Sequence, residues 1–246
     1  MKKHLSILTL AARGSIYQML LLLLGMTAAE TAAFYFSTKT MLAQEMPTLE
    51  AALMQSRISW ICAAAFSLLT ILLMIHTGAS STKTGYTLSR LSVSERGFVL
   101  WQTVWHIICY LFFWAMQLLL TFVLCLWYIR IAPAGTVGNQ NIFLAFHRVP
   151  FLFNLMPMGY TFRWVRNALF LMATAFAAAC FSYRQRRGKI SLSATILAME
   201  TIFFFRTSMT DSSADATALL FMGGIVAVAA YNLFKEEDVS DETVLS

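Results

Sequence analysis

The stretch FVLWQTVWHIICYLFFWAMQLLLTFVLCLWY, Phe98–Tyr128, contains no Asp, Glu, Lys or Arg. A helix needs about 20 apolar residues to cross the hydrocarbon core of a bilayer. This stretch is longer, so as a helix it tilts or projects from the core. Trp101, Trp105 and Trp127 lie near its ends, where indole rings favour the headgroup layer. Trp114 lies mid-stretch and reads as a packing residue.

The rest of the chain agrees with a membrane reading. Of 246 residues, 59% are hydrophobic and only 12% are charged. A soluble domain carries about 25% charge. The mean hydropathy is +0.67, and 20 Phe and 14 Met suit lipid-facing or tightly packed helices. The fold class that follows is an all-α integral membrane protein, a single transmembrane domain over 1–246.

Six spans are expected, at about 17–37, 59–76, 98–128, 164–183, 191–205 and 216–234. The opening Met1–Tyr17 is basic, and Arg13 and Gln18 interrupt the apolar run of residues 1–26, whose strongest part starts only at Met19. It reads as a cytoplasmic lead or interfacial helix, not a cleaved signal. Another apolar piece, 142–160, is broken by His147, Arg148, Pro150 and Pro157. Proline removes a backbone donor, and an unsatisfied peptide group is costly in lipid. An interfacial or re-entrant external element before the fourth span fits better than a crossing.

Charge sets the orientation. Six crossings put Lys2, Lys3, Arg13, Lys83, Arg90, Arg96, Arg184, Arg186, Arg187, Lys189 and Lys235 on one side. Lys39, Arg57, Arg130, Arg148, Arg163, Arg166 and Arg206 fall on the other. The positive-inside rule makes the first side cytoplasmic, with both termini and the run RQRRGK at Arg184–Lys189. A seventh crossing at 142–160 would turn that run outward. The acidic tail 235–246 is expected to be a disordered, solvated cytoplasmic end.

Between the second and third spans lies the cytoplasmic loop 79–97. Its core, YTLSRLSVSERGF at Tyr86–Phe98, reads as a short amphipathic helix. Thr87 or Ser89 suits an N-cap, and Leu88 and Leu91 share a face. The whole segment TGYTLSRLSVSERGFVLWQ, Thr84–Gln102, resembles the loop of ABC-2 type permease subunits of bacterial ABC transporters. Gly85, Leu88, Leu91, Val93, Ser94 and Arg96 fall at the small, apolar and Ser/basic positions of that pattern. Ser92 stands where the family has Pro, Glu95 precedes the basic residue, and Gln102 stands near the usual Lys.

The resemblance implies a coupling helix that docks on a separate cytoplasmic ATPase subunit. Leu88, Leu91 and Val93 would anchor it, with Arg90, Ser94, Glu95 and Arg96 around them. It implies a multi-pass subunit of the bacterial cell membrane that exports a drug, peptide or lipid-like substrate. A second permease copy, or a related permease, would complete the path within the membrane lipid. No nucleic-acid partner is expected. No cofactor is expected in this chain, with ATP and Mg held by the partner. The sequence contains no G-x-x-x-x-G-K-[ST] phosphate loop, and the chain is expected to be no enzyme itself.

Within the spans, Glu30 and Glu200 are costly in lipid and mark candidate path-facing groups, as does Asn167. If both acids faced one cavity they would favour an amine-bearing cargo. GMTAAETAA, ATAFAAAC and LFMGGIVAVAA are rich in small residues that let helices approach closely. Cys62, Cys109, Cys125 and Cys180 lie in apolar runs without a CxxC pair and read as small buried hydrophobes. No metal site is expected, although His106 and Cys109 share a helix face. Two other classes compete: an ion- or proton-coupled secondary transporter using the two acids, and a small membrane scaffold or immunity protein. No HExxH or GxSxG motif supports a membrane enzyme.

Overall fold

The computed structural model describes residues 2–42, 48–78, 95–133, 137–189, 191–207 and 212–244. The described elements are all helices: α1 (Lys2–Leu42), α2 (Leu49–Gln55), α3 (Ile58–Gly78), α4 (Glu95–Ile131), α5 (Asn139–Arg148), α6 (Pro150–Leu155), α7 (Thr161–Arg186), α8 (Ser193–Arg206) and α9 (Ser212–Val244). Five of them, α1, α3, α4, α7 and α9, are long and apolar enough to cross a membrane. The chain is a polytopic membrane protein.

Side-chain contacts fix the direction of each helix. Ser15 accepts from Trp105 Nε1 at 2.8 Å, and the Phe34 and Tyr128 rings sit 6.2 Å apart. So α1 and α4 run parallel. Tyr110 donates to Thr70 Oγ1 at 2.9 Å, and Phe66 meets Phe113, so α3 runs against α4. Trp114 faces Trp164, and Val99 clusters with Tyr183, so α7 also runs against α4. Asp215 meets Arg166 at one end and Leu233 clusters with Tyr183 at the other, so α9 follows α7. The start of α1, the end of α3, the start of α4 and the ends of α7 and α9 therefore share one face.

The fifth expected span is a short helix. α8 has 14 residues, about 21 Å at about 1.5 Å per residue. The Phe170 and Phe204 rings stack at 5.5 Å, and Thr174 meets Thr201 at 3.2 Å. Thus α8 runs back along α7 and returns the chain to the end where α9 starts.

The expected broken segment is two short helices. Pro150 stands at N1 of α6, a position that needs no amide donor. It holds Val149 extended at φ −80° and ψ 115°, which ends α5. Trp114 Nε1 donates to the Leu155 carbonyl at 3.0 Å, so α6 ends level with the middle of α4.

Two boundaries differ from the sequence expectation. α1 is continuous from Lys2, so the basic lead and the first span are one helix. No Pro interrupts Lys2–Leu42, and Arg13 and Gln18 are good helix formers. α9 likewise runs on through the acidic tail to Val244. At the end of α7, Gly188 takes φ +70°. Its amide donates to the Gln185 carbonyl, and the Lys189 amide donates to that of Arg184, each at 3.0 Å. This is a Schellman stop, and the left-handed glycine makes it.

The centre of the bundle is α7, packed against α3, α4, α8 and α9. Ala175, Ala177, Ala178 and Ala179 are all buried, and their small side chains allow that close approach. By contrast, α1 and α9 expose Tyr17, Leu21, Phe36, Leu220, Phe221 and Tyr231. Apolar surface of that extent is stable against lipid, not water.

Candidate functional site

Three places in the bundle hold polar groups that a membrane interior would not tolerate without a reason. The first is a clasp around Asp215, at the end opposite the termini. Arg163 Nε donates to Asp215 Oδ2 at 3.3 Å, and Arg166 Nη1 donates to Asp215 Oδ1. Arg166 also donates to Asn167 Oδ1 at 2.9 Å. Asn167 Nδ2 donates to the Asn154 carbonyl at 2.6 Å. Asn154 Nδ2 in turn donates to the carbonyls of Phe205 at 3.3 Å and Thr207 at 2.8 Å. All five side chains are buried. The Arg163 guanidinium lies 4.9 Å from the Phe153 ring centroid.

Every member of this chain has a partner, so the clasp is built to hold helices. It ties α6, α7, α9 and the residues ending α8 together. Asn167, a candidate path residue by sequence, is one of its links.

The second place is Glu30. It is fully buried, and its Oε2 accepts from Gln117 Nε2 at 3.0 Å. Gln117 Nε2 also lies 3.5 Å from Thr121 Oγ1. Glu30 Oε1 and Gln117 Oε1 are buried and have no hydrogen-bond partner. Both are acceptors, so a donor completes the pair: a proton on the carboxyl, a neutral hydroxyl or water, or a cationic group. Glu200 lies elsewhere, half-buried on α8, with its Oε2 unpaired. Neither acid lines either of the two pockets described next. The structure does not bring them to one of these cavities, the arrangement on which an amine-bearing cargo rests.

The third place is a pocket between α3, α4, α6, α7 and α8. Cys62, Phe66, Phe113, Trp114, Leu155 and Phe205 form its walls, and Arg206 stands at its edge. A more polar pocket under α2 and α6 adjoins it and shares Ser59, Phe151 and Arg206. Between α2 and α3, Arg57 turns the chain with φ 54°, in the left-handed region rare for residues with a Cβ. The turn sets Ser59 between the two pockets.

Leu88, Arg90, Leu91, Val93 and Ser94 lie outside the described residues, and Glu95 and Arg96 open α4. All four cysteines are free and buried. His106 Nδ1 lies 3.3 Å from the Ala175 carbonyl. No group of three His, Cys, Asp or Glu converges among the described residues. Sequence reading missed Gln117, Asn154 and Asp215. Gln117 had a visible signal, a polar residue deep in an uncharged run. Asp215 had a weaker one, an acid at the start of an apolar run.

Comparison with protein-family models, curated proteins and solved structures returns no match for this chain.

Proposed function

We propose that the chain is the membrane-spanning permease subunit of an ABC-type exporter. A separate cytoplasmic ATPase would supply the energy, and the cargo would be a drug, peptide or lipid-like molecule. One observation carries this reading. Segment 79–94 joins the end of α3 to the start of α4, on the face that holds the start of α1 and the end of α9. The basic run Arg184–Lys189 spans the end of α7 on that same face. The positive-inside rule makes that face cytoplasmic. The segment that resembles a coupling helix would then face an ATPase.

In this reading α8 counts as a sixth, short crossing, and α5 and α6 form a re-entrant element on the outer side. ATPase closure would push segment 79–94 and rock α3 and α4 together, alternating access to the path.

The test is co-purification of the tagged chain in mild detergent, with mass spectrometry of what accompanies it. An ABC-type ATPase should appear, and should vanish in a Leu88→Asp, Leu91→Asp variant that still expresses. If no ATPase appears with either form after mild crosslinking, the reading fails. The unpaired acceptors at Glu30 and Gln117 would then favour proton- or ion-coupled transport, read as proton uptake into proteoliposomes that Glu30→Gln abolishes.

A further inference from the structure

We propose that the two adjoining pockets form one binding site for a membrane phospholipid with an anionic headgroup, its acyl chain in the apolar pocket and its phosphodiester on Arg206. The site does not depend on an ATPase partner. The apolar pocket is a half-open cleft in the side of the bundle, not an enclosed cavity. Its walls are almost wholly apolar side chains, which a hydrocarbon chain satisfies and water does not. The adjoining pocket presents Ser59 and the α2–α6 cleft instead. A molecule occupying both must be apolar at one end and polar at the other.

The sign of the polar end comes from Arg206. The guanidinium stands where the two pockets meet and lies 3.3 Å from the centroid of the Trp60 ring. Its Nε is buried without a hydrogen-bond partner. Among the described residues, no carboxylate lies within ion-pair distance of it. Glu50, on α2 one turn before the pocket-lining Leu53, is taken by Arg148 at 3.4 Å. Stacked over an indole with Nε unpaired, the guanidinium can offer Nε and a neighbouring Nη to a bidentate acceptor, the geometry that phosphate matches. Beside the pocket, α3 and α8 expose Trp60 and Phe203, surface that belongs against lipid. The bilayer is therefore the source to which this site is adjacent.

The test uses purified full-length protein in a mild non-ionic detergent. It is mixed with equal amounts of phosphatidylglycerol and phosphatidylcholine of the same chains, and separately with oleate. Native mass spectrometry counts what is retained. One phosphatidylglycerol should be held in preference to phosphatidylcholine, whose own choline cation competes with Arg206 for the phosphodiester, and oleate should be held less well. A charge-assisted hydrogen bond is at stake, so Arg206→Gln should cut the preference about tenfold or more, while Arg206→Lys keeps part of it. Ala63→Phe fills the apolar pocket without touching charge, and should remove retention of either lipid. It also decides the matter if Arg206→Gln does not fold. Equal retention of phosphatidylcholine or oleate, or an unchanged pattern in a folded Arg206→Gln or Ala63→Phe variant, overturns the proposal.

Discussion

Gln117 of α4 donates its side-chain amide to the buried carboxylate of Glu30 on α1, at 3.0 Å. The two residues join the parallel helices in the bundle interior. Gln117→Leu would leave Glu30 without its donor. A buried acceptor that loses its partner costs about 1–3 kcal/mol, more if charged. Thermal unfolding in detergent should show that loss. The double variant Glu30→Met, Gln117→Leu should recover most of it, because both polar groups leave together. A double variant as unstable as the sum of the singles would show that the pair is not the unit.

The clasp at the other end is more demanding. Asp215 takes two guanidiniums, from Arg163 and Arg166, and Arg166 is almost wholly inaccessible. Asp215→Asn would remove the carboxylate that two buried cations share. Removing one partner of a buried ion pair costs about 3–5 kcal/mol. The variant is expected to lose folded yield on detergent size-exclusion chromatography. Replacing the whole ion cluster, Arg163→Met and Arg166→Met with Asp215→Leu, should be milder than Asp215→Asn alone. The reverse order would mean the cluster adds net stability.

Asn154 holds the short helix α6 against the chain that leaves α8, through the carbonyls of Phe205 and Thr207. Asn154→Leu removes both hydrogen bonds. Its own carbonyl, which accepts from Asn167, stays in place. The expected effect is local. Amide hydrogen exchange should quicken over 150–155 and 205–207, while α7 keeps its protection. Equal quickening in α7 would mean that Asn154 supports the whole bundle.

The long helices were legible because lipid imposes a simple rule. Every peptide group must be satisfied inside the helix, and about 20 apolar residues must follow one another. Phe98–Tyr128 and Ser59–His76 obey it plainly. α8 was legible only in part, since its length is set by packing against α7. The clasp was not legible. Arg163 and Arg166 stand out as cations at a span's outer end, but Asp215 lies 49 residues from Arg166. Nothing in a single sequence pairs them. The three small-residue runs read alike, yet ATAFAAAC is consumed in internal packing, whereas Gly25, Gly223 and Gly224 face outward. Only the neighbours of each helix decide that.

The bundle's directions predict sidedness. Gly138 and Lys189 are exposed and lie at opposite ends of the bundle. A Cβ added at Gly138 meets nothing within 4 Å, and Lys189 follows the stop at Gly188. Each therefore tolerates a single cysteine. The background is free of reactive thiols once the four native cysteines, all buried, are replaced by alanine. On intact cells a membrane-impermeant maleimide should label Gly138→Cys and spare Lys189→Cys, and inverted vesicles should reverse the pattern. Labelling of both from one side would mean that the chain between them, α5 to α7, does not cross the membrane once, and would break the antiparallel order of α4 and α7. A clean but inverted pattern would keep the bundle and turn segment 79–94 outward. No cytoplasmic ATPase could then reach Leu88 and Leu91.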